Sequence, residues 1–189
     1  MELPKRIHKL NPLASKTVLS INHNVPRAYM ETRILSQEDV ESIWTINEQG
    51  LPGTGQVSKQ EISTLLEIST LSVGEFRDEE LIGFVICLPP GTDYGSLNYA
   101  WFNEKLESFI YVDRIAVSQN HRGEGVGSRL YDRVISYSNE NKIPIAAEVN
   151  LEPPNPGSMR FHHRFDFKEV GVLSHKDKSV TMLMRNNSQ

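Results

Sequence analysis

FIYVDRIAVSQNHRGEGVGSRLYDRVISY, residues 109–137, divides into three parts. Phe109 to Val117 is a β-prone run, Ser118 to Gly127 is polar and glycine-rich, and a helical pattern follows. Val126, Leu130 and Val134 recur every fourth residue, with Tyr131 and Ile135 offset by one. That is the stripe of an amphipathic helix packed on a core. Arg129, Asp132, Arg133 and Ser136 fall on the opposite side, as a wet face should. The turn between strand and helix carries the chemistry.

Gly123, Gly125 and Gly127 leave successive backbone N–H groups unshielded by Cβ atoms at the point where the helix begins. A helix start offers about four unpaired donors and roughly half a positive charge, which suits phosphate oxygens. Arg122 adds a cation at the mouth. The bland alternative is a flexible strand-to-helix connection, but the strand before and the amphipathic helix after favour phosphate binding.

The spacing narrows the ligand. A dinucleotide fingerprint needs G-x-G-x-x-G, and the residue three after Gly125 is Ser128. A P-loop needs G-K-[ST], which does not occur. What is present is Arg122-x-x-Gly125-x-Gly127, following Ile115-Ala116-Val117. This resembles the R/Q-x-x-G-x-G/A pyrophosphate loop of the GNAT superfamily of N-acetyltransferases, which bind acetyl-CoA.

The composition is that of an ordinary soluble globular protein, somewhat on the polar side. A chain of 189 residues can bury one sizeable core, and its 38% hydrophobic and 23% charged content is ordinary for a globular protein. A formal charge of -4 argues against a nucleic-acid surface. The single cysteine, Cys87, lies in an apolar run, so a disulfide framework and a thiolate zinc cluster are excluded. A buried structural thiol is the reading of Cys87 preferred over a nucleophile. No apolar run approaches the roughly 20 residues of a membrane span, and no secretory h-region opens the chain. The expectation is a cytoplasmic protein with no membrane, nucleic-acid or metal partner.

Residues 1–28 form an N-terminal extension with a basic start (Lys5, Arg6, His8, Lys9) and a short candidate strand at Thr17–Ile21. The regular fold is expected over 29–189 as a single domain. Tyr29–Leu35 reads as a strand. Ser36 and Asp39 then form a weak capping box for a helix carrying Val40, Ile43 and Trp44, and Gly50 is placed to end it. After the loop LPGTGQ, Ser58-x-x-Glu61 is a better capping box, before Ile62, Leu65 and Leu66. This helix pair and its loop lie where an acceptor could enter. Leu71–Arg77 and Leu81–Leu88 read as a hairpin joined by Asp78-Glu79-Glu80. The insert Thr92–Glu107 holds Asp93, Tyr94, Asn98, Tyr99, Trp101, Phe102 and Glu104. It is either a lid for a cationic amine or a loop anchored by its aromatics. Pro144 stops the long helix, and Ile145–Leu151 is a strand with Glu148 and Asn150 on one face. Asn155-Pro156 starts a helix, and Phe167–Ser174 and Ser179–Met184 close the chain as an antiparallel pair.

The order β-α-α-β-β-β-α-β-α-β-β is that of the GNAT fold, so the resemblance covers roughly residues 29–185. It implies an α/β (α+β) architecture: a mixed, mostly antiparallel sheet flanked by helices, with the fourth and fifth strands parallel and splayed to admit the pantetheine arm. By the same resemblance, Ile115, Ala116 and Val117 pair through their backbone with pantetheine amides. Arg122, Gly123, Glu124, Gly125, Val126, Gly127 and Ser128 hold the pyrophosphate. The later family pattern N-x-x-[SA]-x-x-[FL]-Y-x-x-x-G-F appears as Asn155 to Phe167, with Asn155 on the pantetheine arm. Two positions depart from it: His162 replaces the tyrosine that protonates the departing thiolate, and Asp166 replaces a glycine. Histidine can deliver a proton, and aspartate can occupy a left-handed turn. His162 could instead be a polar residue on a partly buried helix. An alkylammonium of pKa ~10 needs a base, and Asp113 and Glu148 are the candidate carboxylates. Alternation places Asp113 with Ile115 and Val117. Either carboxylate could instead be a salt-bridged strand residue, with Arg114 as partner.

The implied activity is direct transfer of an acetyl group from acetyl-CoA, as co-substrate, to a primary amine of a small molecule, amino acid or peptide. Longer acyl groups and a homodimer are both within the family's range. The alternatives from other classes are a non-catalytic acyl-CoA sensor on the same scaffold and a dinucleotide-dependent oxidoreductase. Ser128 and the missing second βαβ half weigh against the latter.

Overall fold

The computed structural model describes residues 29–175 and 178–187. The extension at 1–28, with its candidate strand at Thr17–Ile21, lies outside the described residues. The elements are β1 (Met30–Ile34), α1 (Val40–Gln49), α2 (Lys59–Ile68), β2 (Leu71–Arg77), β3 (Glu80–Leu88), α3 (Leu97–Asn103), β4 (Ile110–Val117), α4 (Val126–Asn141), β5 (Ile145–Glu152), α5 (Pro156–Arg164), β6 (Lys168–His175) and β7 (Lys178–Arg185). They build one seven-stranded sheet in the order β1-β2-β3-β4-β5-β7-β6, the mixed and mostly antiparallel sheet the sequence implies.

Helices cover both faces. On one side Ile43, Ile46, Ile62 and Leu65 of α1 and α2 join Tyr99 and Phe102 of α3 against Phe84, Ile86 and Tyr111. On the other, Val126, Leu130, Tyr131 and Val134 of α4 pack on Val85, Ile110 and Val112. All four α4 residues are at most 1% exposed, so the stripe read from the sequence is the buried face. Each such side chain contributes about 1.5–3 kcal/mol. Arg129 departs from the expected wet face and bends back toward the sheet, where Glu75 holds it.

Local chemistry explains most boundaries. Ser58 accepts from the Glu61 amide and Glu61 answers at the Ser58 amide, the reciprocal cap expected for α2. The Ser36–Asp39 box also forms, around a single 3-10 turn that leads into α1. Asn155 caps α5 through the Ser158 amide, with Pro156 in the first turn. Gly50 ends α1 with an ordinary right-handed φ of -88°, not the left-handed cap its identity suggests. Asp166 does take a left-handed φ of 63°, so the turn survives the loss of the family glycine.

Three features were not legible. The β2–β3 turn is two residues long, with Asp78 and Glu79 both at positive φ (48° and 71°), so β3 starts at Glu80. The insert after β3 contains α3, a short helix capped by Ser96. Its Tyr99 and Phe102 are buried, and the Tyr99 hydroxyl donates to the Pro89 carbonyl at 2.6 Å. These aromatics anchor the segment. Finally, Ile86 faces Arg114 while Cys87 faces Val112, which leaves Asp113 without a partner in a bulge. The bulge breaks the expected alternation. Ile115 and Val117 pack on the α4 side, whereas Arg114 reaches Asn47 of α1 on the other, with Asp113 paired to it.

Candidate active site

The sheet opens in its middle. β4 and β5 run parallel but pair only at Ile110–Ile145 and Tyr111–Ala146, and then diverge. A cleft of about 810 Å³ occupies the gap. Its walls include Ile115, Ala116, Val117, Arg122, Gly123, Gly127 and Asn155, all of them residues selected from the sequence. A second, smaller chamber of about 100 Å³ adjoins it and holds Asp113 and Glu148. Gly53, Thr54, Ile115, Asn150, Asn155, Ser158 and His162 border both, so the two spaces meet along these seven residues.

The glycine turn adopts a backbone that few other residues allow. Gly123 (φ 84°) and Gly125 (φ 78°) occupy backbone space that L side chains rarely enter, and nothing lies within 4 Å of where a Gly123 Cβ would sit. Gly125 is the residue immediately preceding α4, so the unpaired amides of the helix start face this loop. The remaining named residues divide. Val126 is 1% exposed and belongs to the core. The Glu124 carboxylate pairs with Arg77, and Ser128 is half-buried. Arg122 is less free than a cation at a mouth should be: it donates through Nε to the Val117 carbonyl at 3.3 Å and through Nη2 to the Gln49 carbonyl at 2.9 Å.

Glu148 sits in the small chamber and accepts from Tyr111 Oη at 2.8 Å and Asn98 Nδ2 at 2.9 Å. Burial raises its pKa to about 7, the two hydrogen bonds oppose that rise, and nearby Asp113 adds to it. A carboxylate poised there is half ionised near neutrality. Asp113 is committed differently, to Arg114 Nε at 2.7 Å, with both side chains under 9% exposed.

His162 is 3% exposed, and both ring nitrogens are engaged. Nδ1 lies 2.9 Å from the Ser158 carbonyl, which can only accept, so Nδ1 carries the proton. Nε2 therefore accepts from the Tyr131 hydroxyl at 2.7 Å. Burial pushes the imidazolium pKa down to about 4, partly opposed by the Ser158 bond. The ring is a neutral, tautomer-fixed imidazole at physiological pH.

The profile described as Acetyltransferase (GNAT) family matches residues 40–167. The chain belongs to the GNAT acetyltransferase family. Solved structures with the same fold include Ard1 from Thermoplasma volcanium (18% identity, TM-score 0.69, 85% of this chain and 99% of that one). Another is Arabidopsis thaliana NAA60 in complex with a bisubstrate analogue (16%, 0.67, 85% and 100%). A third is yncA, a putative acetyltransferase from Salmonella typhimurium with its cofactor acetyl-CoA (14%, 0.64, 85% and 95%). No curated protein matches the chain.

Several residues that line these spaces in this GNAT chain are not singled out by the sequence. The α1–α2 loop, expected near the acceptor entrance, lines the large cleft through Gly50, Pro52, Gly53 and Thr54, the last two facing the small chamber as well. Asn150 Nδ2 donates to the Pro52 carbonyl at 3.3 Å and ties that loop to β5. Ser158, Phe161 and Arg164 add a wall from α5. The glycine- and proline-rich composition of LPGTGQ was the one usable signal, since such a loop lets backbone approach a ligand closely. The partners of Asn98, Tyr111 and Tyr131 carry no such signal, because each acts on a residue distant in the chain.

Proposed function

We propose that this GNAT chain transfers the acetyl group of acetyl-CoA to a primary amine of a small-molecule, amino-acid or peptide acceptor by direct attack, without a covalent enzyme intermediate. The observation that carries the reading is the junction of the two cavities. A long cleft bounded by exposed amides opens, at Ile115 and Asn155, into a small chamber that holds a half-ionised carboxylate.

Bound acetyl-CoA supplies an electrophilic thioester carbon and a thiolate leaving group. The chain supplies the rest. The Gly123–Ser128 amides and the α4 start receive phosphate oxygens. Beyond Tyr111, β4 is no longer paired to β5, so its backbone can pair with an extended amide chain. Glu148 takes the proton from the acceptor's ammonium, which must be neutral to attack; as the C–N bond forms and the C–S bond breaks, the second proton lost by the nitrogen goes to the departing thiolate. Asp113, bound to Arg114, contributes negative field that helps keep Glu148 basic. His162 was the expected thiolate donor. Its fixed neutral ring is a poor acid, and we assign it to holding Ser158 and Tyr131 in place. A cytoplasmic location, independence from metal, membrane and nucleic acid, and the homodimer remain part of this reading.

The test is thiol release from acetyl-CoA over a panel of amines, amino acids and peptides, alongside CoA binding by calorimetry. Arg122→Ala and Gly125→Asp should each weaken CoA binding at least tenfold, about 1.4 kcal/mol. Unchanged affinity in both variants removes the assigned loop. Tight CoA binding with no turnover across the panel would favour a non-catalytic sensor.

A further inference from the structure

One set of charged side chains next to the glycine turn has no part in the steps above. Glu75 of β2 is 1% exposed and stands where β2 shifts register against β3. A carboxylate that deep is costly without partners. It has two: the Thr32 hydroxyl of β1 donates to Oε1, and Arg129 Nε donates to Oε2 at 2.7 Å. Arg129 is in the first turn of α4, and its Nη1 reaches back to the backbone carbonyl of Glu124 at 3.1 Å. That carbonyl lies between the two positive-φ glycines. The Glu124 carboxylate takes Arg77 Nη2 from the same β2 strand at 2.5 Å, and Arg77 Nη1 contacts His121 Nδ1 at 3.1 Å. The turn is therefore held from behind at one carbonyl and one side chain, both through arginines that lead to β2.

We propose that Glu75 and Arg129 are positioning residues that preset the Gly123–Gly125 turn for a pyrophosphate, an inference that rests on the acetyl-CoA reading. Glycines lose more conformational freedom on ordering than other residues, so a Gly-x-Gly turn left alone would order only on binding, at the expense of affinity. Arg129 fixes the central carbonyl and so turns the flanking amides toward the cleft. Glu75 is what aims Arg129. Its negative charge is matched by the same guanidinium, so the brace does not repel the anion it serves. Arg77 and His121 repeat the arrangement at the outer edge of the turn.

The experiment compares wild type with Glu75→Gln and Arg129→Met, which keep side-chain size and remove the ion pair from either end. Thr32→Val is the milder third variant if Glu75→Gln does not fold. Two quantities are read: amide hydrogen exchange of residues 123–127 in the ligand-free protein, and Kd for CoA with the kcat and KM split. The brace predicts faster exchange confined to the turn and its helix start. It also predicts roughly tenfold weaker CoA binding, with kcat at saturating acetyl-CoA and acceptor KM within about twofold of wild type. Folded variants with unchanged exchange and unchanged Kd overturn it, as does a loss confined to kcat. A wild-type protein that binds no CoA sinks the acetyl-transfer reading instead, so the two failures are distinct.

Discussion

At Glu148 burial and hydrogen bonding pull in opposite directions, and burial wins. The carboxylate keeps two donors yet titrates near 7. If it is the base, kcat/KM rises with pH through about 7 as the proton leaves. Glu148→Gln should abolish that limb and lower kcat by about 10²–10³, with acetyl-CoA affinity retained. A pH–rate profile that keeps the limb in the variant excludes Glu148. His162→Phe separates the two roles considered for the ring. A proton donor predicts a fall in turnover larger than any change in acetyl-CoA binding, whereas a positioning residue leaves turnover within a few fold. Glu148 itself was legible from strand alternation and Asn155 from its cap. Their environments were not: Asn98 and Tyr111 lie 50 and 37 residues from Glu148, and Tyr131 lies 31 from His162. A pKa set by such partners cannot be read along a chain.

At the scale of elements, periodicity and caps carried the reading wherever an element stabilises itself locally. The α4 stripe, the Ser58–Glu61 box and the Asn155-Pro156 start are all decided within a turn or two of sequence. The β4 bulge depends on how Ile86 and Cys87 oppose the strand, and α3 is too short to show a stripe, so neither could be seen. Asn155 allows its observed cap and its proposed contact with the pantetheine arm to be separated. Asn155→Ala loses the α5 cap and should cost about 1 kcal/mol of stability. Asn155→Asp retains a capping oxygen, so its Tm should stay near wild type, while the missing amide N–H weakens CoA binding. Thermal melts and calorimetry on both variants decide whether the side chain faces the cleft as well as its own helix.

For the whole molecule, two buried groups act on stability with opposite signs. Glu148 has a raised pKa, from 4.5 to about 7, so the folded state holds the extra proton and stability falls as pH rises through that window. His162 has a lowered pKa, from 6.5 to about 4, so the unfolded state holds the extra proton and stability rises with pH between those values. Each is worth at most roughly 3 kcal/mol. Between about pH 4.5 and 6.5 the two slopes oppose and should nearly cancel. His162→Phe should expose the Glu148 slope, with Tm falling as pH rises, and Glu148→Gln should expose the opposite one. Parallel melts at pH 5 and 6.5 check both. A different consequence follows from the divergence of β4 and β5 after a single pair of registers. Backbone groups that lack a neighbouring strand normally invite another polypeptide to dock, which is why sheet margins are guarded. Here the unsatisfied margin is internal, walled by α5 and by the α1–α2 loop that Asn150 ties down. On the proposed reading, a slender visitor bringing amides of its own completes the ladder while a bulky chain is kept out, so a gap that would be a hazard on the outside becomes a filter.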